Sequence, residues 1–312
     1  MSKRGSAEAV LQAMADQGWA ARLVPDRRRH DLWSELKGRI DAGELNGAFV
    51  EERMGIFEEA LAHVPGWTRS ILLVAIPDPA MRIRFEWQGH EVTVTVPPTF
   101  LHAEKRGEPR VRAVLEESVA PQPVRAEPAP IPKKLLATRT GLSRFGRNSI
   151  TYIEGLGSYF RLCALNTEIP CNEDRWHEPR VLESCESCGA CVRACPAGAI
   201  DPDRFLVRAE RCITFWHEKS ADVPYPDHVD SSWSDQFVGC MRCQQVCPHN
   251  RGALRIEETG PAFTEQETTT FLEGVTSEQL SDETIAKLRA HDILDWPEVL
   301  PRNLRSALEN AS

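Results

Sequence analysis

Eight of the ten cysteines in this 312-residue chain lie between residues 185 and 247, in two proline-terminated runs and one isolated position. The first run reads Cys185-Glu-Ser-Cys188-Gly-Ala-Cys191-Val-Arg-Ala-Cys195-Pro196, and the second Cys240-Met-Arg-Cys243-Gln-Gln-Val-Cys247-Pro248. Three thiolates three residues apart wrap a tight loop around three irons of a [4Fe–4S] cube. The fourth cysteine of such a run ligates the other cluster where two are present. The second run lacks one thiolate, and Cys212, in Arg211-Cys212-Ile213, is the only other cysteine between the runs. The spacing therefore assigns Cys185, Cys188, Cys191 and Cys247 to one [4Fe–4S] cluster, and Cys195, Cys212, Cys240 and Cys243 to the other. Zinc also takes paired cysteines, but its tetrahedron has no use for a third cysteine at the same spacing followed by Cys-Pro. Lasting disulfides belong to oxidising compartments, and nothing in the chain points to export.

The opening Met1-Ser-Lys-Arg-Gly-Ser-Ala-Glu carries no apolar signal core. No apolar run approaches the roughly 18 residues that span a bilayer. A cytoplasmic protein with no membrane partner is the expectation. Its 41% hydrophobic and 27% charged residues are those of an ordinary globular chain. A net charge of −9 argues against a global nucleic-acid field and leaves room for a local basic face.

The fold class expected is α+β: an N-terminal sheet–helix domain, a ferredoxin-like two-[4Fe–4S] module, and a short helical tail. Residues 6–18 read as a helix from Ser6 to the Gly18 stop, and 20–24 as a short strand. Apolar residues at helical spacing follow over 30–42 and 46–63. The continuous run Ser70 to Ile76 reads as a buried strand. Met81–Trp87 and Glu91–Val96 alternate around Gln88-Gly89-His90 as a hairpin, and these elements together suggest one layer over roughly the first hundred residues. The division expected is an α+β domain over 1–118 and a proline-rich connection over 119–132. Residues 133–172, with a helix up to the Gly141 stop and two strands, complete the first domain. The cluster module covers 173–255, and 256–312 form the tail, with helices over 277–291 and 302–310. Cys163 reads as a core residue, Cys171 as a spare thiol, and Trp176 and Trp216 as shields of the cluster region.

The stretch from about Ala126 to Asn250 resembles epoxyqueuosine reductase, and more distantly the reductive dehalogenases. The resemblance rests on Glu127-Pro-Ala-Pro130, Gly141-Leu-Ser-Arg-Phe-Gly-Arg-Asn-Ser149, Gly157-Ser-Tyr-Phe160 through Glu168-Ile-Pro170, the cysteine runs and Arg211-Cys212-Ile213. It implies a cobalamin-dependent reductase acting on tRNA, fed by an external low-potential donor of ferredoxin or flavodoxin type. Electrons would enter at the Cys195/Cys212/Cys240/Cys243 cluster and leave from the other. Glu127 then stands where the family has an acid that protonates the epoxide. Arg144, Arg147 and Asn148, with His102, are the candidates for holding a cofactor in the substrate domain.

The chain also departs from that pattern. The family's acid is an aspartate, and here it is Glu127, longer by one methylene, which matters where placement sets the rate of proton transfer. The family's Arg/Tyr/His-rich corrinoid stretch is replaced by the hairpin ending in Pro97-Pro98-Thr99-Phe100-Leu101-His102, and its C-terminal tRNA-binding extension is cut short. These departures count against both cobalamin and tRNA, and point as much to a paralogue with another, small-molecule substrate. Two alternatives stand beside the reductase: an electron-transfer protein with no substrate site of its own, and a corrinoid-protein reactivator or dehalogenase-like enzyme.

Overall fold

A computed structural model describes residues 3–100, 103–233, 235–236, 238–291, 293 and 300–311. The chain begins with α1 (Lys3–Asp16), β1 (Ala20–Pro25), α2 (Arg28–Asp41), α3 (Gly47–Arg53), α4 (Gly55–Ala62) and β2 (Ser70–Pro77). A pair of strands follows, β3 (Ala80–Trp87) and β4 (His90–Val96). Next come α5 (Ala103–Val119), β5 (Ala126–Pro128), α6 (Lys133–Arg139), β6 (Arg144–Phe145), β7 (Thr151–Tyr152) and β8 (Phe160–Thr167). Four one-turn helices occupy the cysteine region: α7 (Cys185–Cys188), α8 (Ala190–Ala194), α9 (Ile213–His217) and α10 (Arg242–Gln245). Last are β9 (Ile256–Glu257), β10 (Ala262–Phe263), α11 (Glu265–Glu273), α12 (Asp282–Ala290) and α13 (Leu300–Ala311). No described helix is long and apolar enough to cross a membrane.

These elements form two compact units interleaved along the chain. Residues 1–77, 104–189 and 202–206 make the first, and 78–103, 190–201 and 207–312 the second. The division is not the linear one drawn from the sequence.

The first unit is built on an antiparallel sheet of order β1-β2-β8-β5. The apolar run of β2 is continuous because both of its faces are covered. Leu72, Val74 and Ile76 enter a core with Val10 and Met14 of α1 and Val111 and Leu115 of α5. Ile71, Leu73 and Ala75 enter another with Leu32 of α2 and Leu136 and Ala137 of α6. Burying each such Leu or Ile contributes about 1.5–3 kcal/mol. The helix α5 carries Pro109 in its interior, where proline ordinarily breaks a helix. The supposed connection 119–132 contains strand β5, which pairs Glu127 with Asn166 at the sheet's edge. An edge strand tolerates Pro128, which can donate no ladder hydrogen bond. Asn166 Nδ2 donates to the Pro128 carbonyl at 3.2 Å. The buried guanidinium of Arg29 donates in turn to Asn166 Oδ1 and, at 2.9 Å, to Asp26.

The second unit is built on the β3–β4 hairpin. Gln88 and Gly89 both have positive φ (53° and 77°), the two-residue turn whose twist suits a hairpin. Short strands β9 and β10 add in parallel beside β3. Here the pattern alternates: Met81, Ile83, Phe85, Val92, Val94 and Val96 are buried, while Arg82, Arg84, Glu86, Glu91 and Thr93 are exposed. A one-sided apolar face needs a cover. Phe271 of α11, Leu288 of α12, and Leu304, Ala307 and Leu308 of α13 supply it. The hairpin expected in an N-terminal layer thus shares its core with the helices expected to be a tail.

Candidate metal centre

Four cysteines of the second unit are held by short helices and by amide donors to sulfur. Cys195 ends the first run, and its Sγ accepts the Ala199 N–H at 3.3 Å. Arg211 Nε donates to the Ala197 carbonyl at 3.1 Å, tying the Cys195-Pro196 turn to the residue preceding Cys212. Cys212 caps α9 with φ −73° and ψ 124°, which leaves the Thr214 and Phe215 amides beside its sulfur, where they pull its pKa down against burial. The Arg242 amide lowers the Cys240 pKa against burial, and Cys243 lies in α10, which packs on α8. Cys195, Cys212 and Cys240 are close enough for each charge to be felt by its neighbours.

Burial pushes the Cys212 thiol up, and burial with the neighbouring sulfurs pushes Cys240 to about 11. Bare thiolates are therefore unfavourable there, whereas a coordinating cation deprotonates a thiol outright. Gathered half-buried sulfurs with N–H groups aimed at them are what an iron–sulfur cluster needs, and hydrogen bonds to sulfur are one means of setting its potential. These residues fit a [4Fe–4S] cluster.

In the first unit, Cys185 and Cys188 begin and end α7, and Gly189 then turns the chain at φ +59°. In the second unit, Cys191 lies in α8. Cys247 there caps the turn Pro248–Asn250 with φ −75° and ψ 124°, close to the angles of Cys212. All eight cysteines are half-buried and none is in a disulfide.

A polar network behind Cys212 and Cys240 had no signal in the sequence. His217, at the end of α9, is 2% exposed, and its Nδ1 bonds to the Gly239 carbonyl at 2.9 Å, one residue before Cys240. Burial, aided by Arg302, lowers its pKa to about 4 against the pull of that carbonyl, so the ring is neutral and donates. Asn303 Nδ2 donates to the His217 carbonyl at 2.8 Å, and the Tyr225 hydroxyl donates to Asn303 Oδ1 at 2.8 Å. Arg302 lies 4.2 Å over the Tyr225 ring.

The remaining candidates are placed as follows. Glu127 is exposed on β5. Arg144, Arg147 and Asn148 lie together in the β6–β7 hairpin, but their side chains go separate ways. Arg147 donates to the Cys185 carbonyl (Nη2, 3.0 Å) and the Pro202 carbonyl (Nη1, 2.6 Å), so it holds the backbone of the first cysteine. Asn148 is buried, with Nδ2 donating to the Tyr152 hydroxyl at 3.0 Å. Arg144 is half exposed, 3.8 Å from Glu183. His102 lies outside the described residues. Arg139, at the end of α6, is paired to Glu35 at 2.6 Å and Glu178 at 2.9 Å. With Arg147, Asn148 and Arg139 committed in this way, these described residues do not fit a corrinoid seat. Trp176 packs beneath Arg28 and Arg139, while Trp216 Nε1 donates to the Glu210 carbonyl. Cys163 is a core residue, and Cys171 is half-buried with Sγ on the Leu23 and Glu173 carbonyls.

The chain is a double-[4Fe–4S] protein: residues 184–250 match the 4Fe-4S double cluster binding domain. In sequence it is similar to the epoxyqueuosine reductases. It is 26% identical to that of Staphylococcus aureus over 233 residues, covering 71% of this chain and 59% of the relative. It is 34% identical to that of Escherichia coli over 131 residues, covering 42% of this chain and 33% of the relative. The matches thus span less than two thirds of these relatives' lengths. A crystal structure of epoxyqueuosine reductase with an epoxyqueuosine-modified tRNA-Tyr stem loop superposes on 97% of this chain and 80% of its own. The TM-score is 0.61 at 20% identity, which establishes a common fold.

Proposed function

We propose that the protein is a cytoplasmic iron–sulfur reductase. It takes electrons from an external low-potential donor of ferredoxin or flavodoxin type and passes them through two [4Fe–4S] clusters to a substrate held by the first unit. The observation that supports this is a double-cluster domain carried on the fold of epoxyqueuosine reductases. When bound, the clusters supply one-electron transfer. The chain's own part is to hold the thiolates, direct amides at them, and present an acid. Glu127, exposed on an edge strand, is open to a bulky substrate. A tRNA-borne epoxide is the first substrate class to test, because the neighbouring structure was solved with such a stem loop.

A second reading, an electron-transfer protein without a substrate site, is favoured by the commitment of Arg147 and Asn148 to intramolecular partners. The deciding experiment uses anaerobically assembled protein, a low-potential reductant and an epoxyqueuosine-containing stem loop, with and without added cobalamin. Queuosine formation, lowered at least tenfold in Glu127→Gln as expected for loss of a general acid, supports the reductase. Reduced clusters with no turnover, and no corrinoid or flavin retained, would leave the carrier.

A further inference from the structure

We propose that α13 is the scaffold of the Cys195/Cys212/Cys240/Cys243 cluster. Arg302 and Asn303 are its positioning residues, fixing the backbone of the ligand loops and so the cluster's retention and potential. The inference rests on the assignment of those four cysteines to one cluster.

Two faces of the helix have different partners. Leu304, Ala307 and Leu308 enter the hairpin core. Arg302, Asn303, Ser306 and Asn310, spaced along another face, bond to the cysteine region at three places. The first is the end of α9, the helix that Cys212 caps. A helix leaves its last carbonyls without partners inside itself, and here side chains of α13 take them. Arg302 Nη2 donates to the Trp216 carbonyl at 2.6 Å and the Lys219 carbonyl at 3.3 Å, Nη1 donates to the Val223 carbonyl, and Asn303 takes the His217 carbonyl.

The second place is the residue before Cys240. The His217 ring, on the helix end that Asn303 fixes, bonds to the Gly239 carbonyl. Gly239 has φ +72°, and a β-carbon there would stand 2.7 Å from the Phe100 ring at the exit of the hairpin. Val238, next to it, is buried in the same core as Leu304. The third place is the approach to Cys243. Ser306 Oγ and Asn310 Nδ2 donate to the Ser231 carbonyl at 2.7 and 3.1 Å. Two residues on, the Trp233 carbonyl accepts Arg242 Nε at 2.7 Å, beside Cys243. Hairpin exit and C-terminal helix thus converge on this one set of ligand loops.

The test uses the full chain, assembled anaerobically with iron and sulfide, in an EPR-monitored redox titration and a chelator-driven iron-release assay. Cys212→Ala identifies the signal and the half of the iron that belong to this cluster. Arg302→Lys keeps the charge but loses the multiply donating guanidinium, and Asn303→Ala removes the tie to α9. Both are expected to shift the midpoint of that signal alone and to speed release of that half of the iron about tenfold, the size of effect one hydrogen bond to a charged group can carry. Tyr225→Phe, which removes only the hydroxyl bond to Asn303, should move the same signal in the same direction by less. It decides the matter if the other variants do not fold. Leu308→Ala, on the apolar face, should lower the unfolding temperature without moving either midpoint. Folded Arg302, Asn303 and Tyr225 variants that leave both signals unmoved, or shift both together, would overturn the proposal. Cys212→Ala that keeps all its iron would instead overturn the ligand assignment, and the proposal with it.

Discussion

The two sheets bury their strands in opposite ways. Both faces of β2 are covered, and Ile71 through Ile76 feed two cores alternately. The β3–β4 hairpin buries Met81, Ile83 and Phe85 on one side and leaves Arg82 and Arg84 in solvent on the other. In the first unit α1 and α2 flank β1 in sequence, while α5 and α6 follow β2 within the same half of the chain. In the second the cover comes from α11, α12 and α13, at the far end of the chain. The difference bears on folding order and on stability: the first sheet's cover and its β2–β8 pairing close shorter loops than the hairpin's core, which joins β3 to α13.

The largest expected effects sharpen this contrast. Leu73→Ala and Phe271→Ala each remove a fully buried side chain from one of the two layers and should each destabilise by about 3–5 kcal/mol. Calorimetry should register both. Iron release to a chelator should separate them, because Phe271 supports the core shared by α13 and Val238 and Leu73 does not. Equal release from the two variants would break the distinction between the layers.

A middle-sized effect comes from pH. His217 is buried neutral with its pKa lowered to about 4, from an ordinary value of 6.5. The unfolded chain therefore binds the proton first as pH falls, and stability drops from pH 6.5 down towards about pH 4. Above pH 6.5 this group imposes no penalty. Between pH 7 and pH 5 the loss should amount to about 2 kcal/mol. Comparing denaturation midpoints of the intact protein and His217→Gln checks it: the variant should lack that share of the acid sensitivity. Parallel pH curves for the two proteins would mean the ring does not stay neutral in the fold.

Much of the fold was legible where the signal is local. The continuous apolar run gave β2, the Gln88-Gly89 turn gave the hairpin, and Gly18 and Gly141, at φ +74° and +68°, gave helix stops. The cysteine spacing gave the two clusters. Other signals were present but outweighed. Thr264-Glu-Gln-Glu267 is a capping box, realised in both directions at the start of α11, yet the polar run Thr268-Thr269-Thr270 disguised the helix. Pro109 hid α5, and Pro121 and Pro123 made an edge strand look like a tether. What no local pattern carries is pairing at a distance. Nothing about Asn303 or His217 announces that they meet, and nothing in Arg147 says whether it faces a ligand or the Cys185 carbonyl. Alternation in a strand says that one face is covered, but not by which helix.

The smallest expected effect belongs to the hairpin's open face. Arg82 and Glu258 form a bidentate pair at 2.8 and 3.0 Å, and their side chains are 43% and 63% exposed. Water screens such a pair, and holding two long side chains in one geometry opposes it, so it is worth about 0–1 kcal/mol. Arg82→Ala should therefore shift the thermal midpoint by no more than a few degrees, and less still as salt is raised. On β3, Ile83 points inward beside it, and Ile83→Ala should cost about 2–5 kcal/mol. The ratio between these neighbouring substitutions measures how one-sided the hairpin is. Arg82→Ala that cost as much as Ile83→Ala would require the outer face to be covered too, and the hairpin would then be a second β2 rather than its opposite.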